Sequence, residues 1–195
     1  CLLLSCGGDD GDAASIPATP QQPTILDTPL TIEAIADGVI TFSNKAAGDV
    51  TYKIDNGSMQ TIPANSSHDI NVTAGQKVAF YGDNATYATG TTTDSYSNIS
   101  CTDDFYAYGN IMSLVNSTNF ANSNTLTASY AFAGLFSNNI HLKNHPSNEL
   151  VLPATTLTYY CYCGMFAGCT SLNTAPSLPA TKLTDYCYYG MFALD

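Results

Sequence analysis

Leu152-Pro153-Ala154-Thr155-Thr156-Leu157-Thr158-Tyr159-Tyr160-Cys161-Tyr162-Cys163-Gly164-Met165-Phe166-Ala167 returns as Leu178-Pro179-Ala180-Thr181-Lys182-Leu183-Thr184-Asp185-Tyr186-Cys187-Tyr188-Tyr189-Gly190-Met191-Phe192-Ala193. The offset, from 152 to 178, is 26 residues, and 13 of the 18 aligned positions starting at Leu152 are identical. A period of roughly 20–29 residues with recurring Leu is the sequence mark of a leucine-rich solenoid. Each unit of such an array buries its apolar face only by stacking on its neighbours. Function then belongs to a surface rather than to a catalytic cleft.

An older copy precedes these two. Tyr130-Ala131-Phe132-Ala133-Gly134-Leu135-Phe136 aligns with the segment starting at Tyr160 at an offset of 30, Leu142 with Leu172, and Pro146-Ser147 with Pro176-Ser177. The excess over 26 places a four-residue insertion around Asn148-Glu149-Leu150-Val151. A weaker echo lies at Tyr106-Ala107-Tyr108-Gly109-Asn110-Ile111-Met112. Terminal repeats are usually atypical, so the degenerate copies read as a cap. The last copy stops within a unit, at Asp195, which reads as a fragment of a longer array.

Inside a unit, Tyr160, Gly164 and Ala167 are spaced i, i+4, i+7, which predicts a short helix. The stretch 172–178, with Pro176 and then Pro179, is expected to be extended, because residues before Pro avoid the helical region. Each repeat is thus expected to be a short strand, a bend and a short helix. Leu152, Leu157, Leu172, Leu178 and Leu183 would point inward with Met165, Phe166, Met191 and Phe192. Tyr159, Tyr162, Tyr188 and Tyr189 are the candidates for an exposed binding surface.

Residues 30–105 read as strands. Val50-Thr51-Tyr52-Lys53-Ile54-Asp55 alternates, Asn56-Gly57 supplies a two-residue turn, and Ser58-Met59-Gln60-Thr61-Ile62 returns. Such a turn would set Ile54 opposite Met59 and Tyr52 opposite Thr61. Further strands are expected at 30–35, 39–43, 69–73 and 77–81, and a polar loop or edge hairpin at 83–97. The expected fold is mixed α+β: a small N-terminal β-sandwich-like domain over 30–105, then a leucine-rich-repeat solenoid over 106–195, truncated at the C-terminus.

The N-terminal segment reads as an export signal. Leu3-Leu4-Ser5-Cys6 resembles a bacterial lipobox, and Gly7-Gly8-Asp9-Asp10-Gly11-Asp12 follows at once. Residues 1–5 would be a signal-peptide remnant. Residues 6–29 would then be a lipidated Cys6 and a flexible tether rich in Pro. Membrane association is expected through that lipid anchor alone. The net charge is −11, with five basic residues, all Lys, and no Arg. Nucleic-acid binding needs basic side chains for counterion release, so no nucleic-acid partner is expected.

Seven Cys invite a metal or disulfide reading. Yet Cys163 aligns with Tyr189 and Cys169 with Asn139, an interchange that metal ligands do not tolerate. Buried free Cys behaves as a small hydrophobe, so these positions read as core and no metal site is expected. His141 and His145 stand at i, i+4, but Pro146 follows directly and no Glu lies between them. Asp103-Asp104 reads as a solvated strand end or a calcium-tolerant loop, and His68 as an exposed turn residue. No catalytic residue and no cofactor are expected.

The unit from Cys169 to Leu183, followed by Tyr186-Cys187-Tyr188-Tyr189-Gly190-Met191-Phe192, resembles the BspA-like leucine-rich-repeat family of bacterial surface proteins. The match is specific over 152–195 and looser before. The resemblance implies display on the bacterial surface as an outer-membrane lipoprotein, and adhesion to host or extracellular-matrix protein. It brings no catalytic residues. Two other readings are a surface glycan-binding module and a non-catalytic display stalk of a larger surface protein. The lack of Trp weighs against the first of these.

Overall fold

The computed structural model describes residues 24–193. The expected signal remnant, Cys6 and most of the expected tether lie outside the described residues, as do Leu194 and Asp195.

Among the described residues ten strands follow in chain order: β1 Thr31–Ala34, β2 Gly38–Asn44, β3 Val50–Ile54, β4 Gln60–Ile62, β5 Ser66–Val72, β6 Lys77–Gly82, β7 Asn98–Cys101, β8 Phe105–Asn110, β9 Leu142–Lys143 and β10 Leu150–Val151. One sheet runs β10-β8-β1-β6-β3-β4, with β9 also on β8; the other runs β5-β2-β7. Alternation builds both: in β2, Ile40, Phe42 and Asn44 are buried and Thr41 and Ser43 half-buried. The inward faces meet where Phe42 of β2 packs on Phe80 of β6, ring centroids 5.3 Å apart.

The β3–β4 hairpin differs from expectation by one residue. Val50 faces Ile62 and Tyr52 faces Gln60, not Thr61. Asp55 takes a left-handed conformation (φ 49°), Gly57 N–H donates to Ile54 O at 2.8 Å, and the loop lengthens accordingly. Asp55 is held to β6 instead: its N–H donates to Lys77 O, and its carboxylate accepts from Lys77 N–H. That pairing outweighs the Asn-Gly turn, and a one-residue slip moves every side chain of β4 to the other face.

The expected helix-bearing solenoid is not what forms. Among the described residues the protein is mostly β, with two sheets, no closed barrel and no helix of seven or more residues. Between Leu126 and Ala193 there is no helical turn at all. Every fourth residue is left-handed instead: Tyr130, Gly134 and Asn138; Tyr160, Gly164 and Gly168; Tyr186 and Gly190. A helix needs right-handed residues throughout to bond each amide to the carbonyl four back. Here amides divide their labour. Those of Cys163, Met165 and Ala167 reach three residues back, to Tyr160, Tyr162 and Gly164. The intervening ones cross to the next coil: Tyr162 to Cys187 O at 2.9 Å, Gly164 to Tyr189 O at 2.9 Å, Phe166 to Met191 O at 2.8 Å. The preceding coil repeats the pattern, with Phe132 to Cys161 O at 2.8 Å and Phe136 to Met165 O at 3.0 Å. The i, i+4 spacing of Tyr160 and Gly164 therefore marks a ribbon of tight turns.

Stacked coils put like rings over like. Phe136, Phe166 and Phe192 form one column, with centroid separations of 5.8 and 5.5 Å and planes within 8°. Phe132, Tyr162 and Tyr188 form a second, at 5.8 and 5.7 Å. The 83–97 segment closes the near end of the stack. Tyr87, fully buried, stacks on Phe132 at 6.1 Å and donates from its hydroxyl to Leu114 O. Its own N–H donates to Ala131 O, and Asn98 Nδ2 donates to the carbonyls of Gly134 and Ser137. The expected boundary at 105/106 falls inside β8, which pairs antiparallel with β1 and parallel with β9 and β10. One apolar cluster runs from Leu30 through Phe80 and Phe132 to Met191.

Candidate functional site

Two surface features stand out on the coils: a tyrosine face and a cleft. The face is built by the left-handed position that opens each turn ribbon. Tyr96, Tyr130, Tyr160 and Tyr186 stack in a third column, at centroid separations of 6.0, 5.1 and 4.8 Å. Tyr159 lies edge-on to Tyr130, Tyr160 and Tyr186, and Tyr189 edge-on to Tyr160 and Tyr186. Tyr159, Tyr186 and Tyr189 are 44%, 52% and 61% exposed, so a contiguous tyrosine patch faces solvent. Desolvation among these rings, with Tyr159 beside it, pushes the Tyr160 phenol up to about 12. The Tyr160 hydroxyl therefore stays protonated, as donor and acceptor, at ordinary pH.

Of the four expected surface tyrosines, Tyr159 and Tyr189 are on this patch. Tyr188 is half-buried in the second column. Tyr162 is a correction: it is 1% exposed, sealed between Phe132 and Tyr188, and offers nothing to a partner. Its hydroxyl has no hydrogen-bond partner among the described residues, and burial holds its pKa well above the ordinary phenol value. Of the expected core, Leu152, Leu157, Met165, Phe166 and Met191 are buried, and Leu172 is half-buried. Leu178, Leu183 and Phe192 are 37%, 66% and 41% exposed. They lie on the last described coil, on which no further described coil packs.

The cleft is where adjacent coils part. β9 and β10 both lie on β8, and residues 144–149 bulge outward between them. The insertion expected around 148–151 covers the end of this bulge and β10. The next coil runs past at 172–179 without regular pairing to it. Asn144 ties the two: its Oδ1 accepts from the amides of Asn173 and Thr174 at 2.8 and 2.9 Å, and its Nδ2 donates to Thr174 O. Beyond this clamp a cavity of about 400 Å³ opens over Leu142, Leu150, Phe166 and Leu172, and a second of about 270 Å³ adjoins it at Glu149, Leu150 and Ser177.

His145 shapes the bulge from beneath. Its Nδ1 accepts from the amides of Ser147 and Asn148 at 3.0 and 2.9 Å, which fixes the tautomer with hydrogen on Nε2. The ring sits between Tyr106 and Tyr108, with centroids 5.0 and 4.9 Å away. Nε2 faces Glu33 Oε2 at 3.7 Å, and Tyr108 donates to the same oxygen at 3.0 Å. His141 is elsewhere, with its Nδ1 3.2 Å from Asp104 Oδ1, while Lys143 pairs with the other carboxylate oxygen. These partners hold the Asp104 carboxyl below the usual carboxylate range, with Lys143 the larger cause and His141 the smaller.

Among the described residues no three His, Cys, Asp or Glu gather as for a metal, and the five described Cys are free. Cys161 and Cys169 are buried, which pushes both thiols up to about 11. Cys169 donates from Sγ to Phe136 O, the carbonyl that Asn139 of the preceding repeat also serves. The arrangement on the coils offers packed rings, hydroxyls and a cleft.

Tyr130, Tyr160 and Tyr186 form one column not expected from the sequence, although all three occupy the same repeat position. The cleft was not expected either, although the four-residue excess in the repeat offset lies beside it. No described helix is long and apolar enough to cross a membrane. Compared with protein-family models, with curated proteins and with solved structures, the chain finds no match.

Proposed function

We propose that this chain is a surface-displayed binding protein, held to the bacterial outer membrane by a lipid on Cys6, whose stacked coils bind host or extracellular-matrix protein. The contiguous patch of exposed Tyr159, Tyr186 and Tyr189 carries the reading. Tyrosine is a rigid amphipathic contact residue with only two side-chain torsions to freeze, and it is enriched where protein surfaces bind tightly. The resemblance of the 152–193 repeats to BspA-like surface proteins and the lipobox-like Leu3-Leu4-Ser5-Cys6 support display outside the cell.

Protein is favoured over glycan by how the rings are arranged. Sugars stack on aromatic faces. In the third column Tyr130 and Tyr160 have both faces covered by neighbouring rings, which leaves edges and hydroxyls outward. Edges and hydroxyls suit peptide groups and side chains.

Binding of the full chain to a panel of immobilised extracellular-matrix proteins tests the reading. Saturable binding to at least one is expected, weakened about tenfold or more when Tyr159→Ser and Tyr189→Ser are combined. Absence of binding across the panel, or indifference to both substitutions, would overturn it.

A further inference from the structure

The cleft beside the coils has the shape and charge of a peptide groove. Its floor is apolar, made by Leu142, Phe166 and Leu172. Among the residues that line the two cavities, Glu149 is the only carboxylate, and no Lys is present. Glu149 belongs to both cavities, is exposed, and forms no salt bridge among the described residues. Along the opposite rim, residues 175–180 run without regular pairing, and the amides of Ala175, Ser177 and Leu178 donate to no described protein group. The groove therefore offers an apolar seat, one uncompensated negative charge and a row of open amides. The His145 bonds to Ser147 and Asn148 and the Asn144 clamp fix both rims beforehand, which lowers the ordering cost of binding.

We propose that this cleft takes an extended cationic segment of the partner protein, with an aliphatic side chain seated over Phe166, a Lys or Arg on Glu149, and backbone carbonyls on the open amides. The proposal rests on the protein-binding reading above and adds the chemistry of the partner. Addition of an extended segment along unpaired main chain is a general recognition mode: the backbone supplies affinity and alternate side chains supply specificity. The chain's net charge of −11 attracts a cationic segment before contact.

The test is fluorescence polarisation with the full chain at low salt and three labelled peptides: Lys-Leu-Lys-Leu-Lys, Lys-Ser-Lys-Ser-Lys and Glu-Leu-Glu-Leu-Glu. The first is expected to bind saturably, the second at least about tenfold more weakly, and the third not at all. Glu149→Gln should weaken the first about threefold. Ala175→Trp, which fills the larger cavity from an exposed position, should weaken it about tenfold or more. Ser177→Trp, on the rim the cavities share, is the second filling variant, and circular dichroism verifies that each variant is folded. Equal binding of the Leu and Ser peptides, indifference to both Trp variants, or no binding by any peptide would overturn the proposal. The matrix panel, run with the same variants, separates the two readings. Panel binding that persists in Ala175→Trp but falls in the tyrosine variants removes the groove and leaves the protein-binding reading. Absence of panel binding removes that reading itself.

Discussion

The two sheets and the coil stack satisfy the same backbone by different means. In the sheets, β2 is paired along both edges, with β5 on one side and β7 on the other, and its side chains alternate between core and solvent. In the stack, one amide turns back within its own coil and the next crosses to the neighbouring coil. The first scheme asks for alternating polarity and β-branched residues. The second asks for a residue at every fourth position that tolerates positive φ, and Gly134, Gly164, Gly168 and Gly190 supply it at several of these places. Three tyrosines hold the same conformation against their intrinsic preference, and stacking of their rings offsets the strain. Ladder bonding is thus a property of the backbone, and a chain can reach it through strand periodicity or through turn periodicity.

The largest expected difference between the two schemes comes from one methyl group placed in each. In Gly109→Ala, within β8, the new carbon would lie 2.1 Å from Pro29 O, at φ 85°. In Gly164→Ala, within a turn, φ is 58° and nothing lies within 4 Å. Urea unfolding should show a loss of about 3 kcal/mol or more for the first and about 1–2 kcal/mol for the second. A larger loss in the turn would mean that the stack, not the sheet, is the less forgiving structure.

A smaller effect, of opposite sign in the two regions, is expected from removing one hydroxyl. Tyr87 donates to Leu114 O at 2.7 Å, whereas the Tyr162 hydroxyl is buried without a partner. Tyr87→Phe should cost about 1 kcal/mol and leave the Leu114 carbonyl with only the longer bond from the Asn84 amide at 3.3 Å, while Tyr162→Phe should raise stability by about 1 kcal/mol. Thermal unfolding of the two variants reads both, and equal signs would break the contrast.

The smallest effect lies at the junction, where Lys143 of β9 and His141 reach Asp104 beside β8. The folded carboxyl has a lowered pKa. Its stabilising contribution is therefore complete above the ordinary carboxylate value of about 4 and is lost as pH falls through the lowered folded value. The melting temperature should fall on acidification below about pH 4, and less steeply in Asp104→Asn. An unchanged slope would show that the pair does not tie the two regions together.

The strands were legible because their alternation and their Gly-containing turns are local. β1, β2, β5 and β6 each overlap an expected segment. The hairpin register was not legible, because the partner that displaced it, Lys77 of β6, is 22 residues away from Asp55. The stacking of 152–167 on 178–193 could be read from the repeat, but the local form could not. Periods of four residues suit both a helix and a ribbon with one left-handed residue in four. What separates them is the recurrence of Gly134, Gly164 and Gly190 in equivalent places, a sign against any helix. The exposed tyrosine face was half visible. Tyr159 and Tyr189 were named, while Tyr162 was misplaced because alternation within a turn ribbon follows the ring columns and not the strand or helix period.

Because each coil closes half of its amide bonds within itself, lengthening the stack disturbs nothing already built. A duplication of 26 codons adds one more ring to each column, one more tyrosine to the solvent face and one more rung to the ladder. Size in this architecture is set by copying, so avidity can be raised by counting modules with no need to redesign any contact.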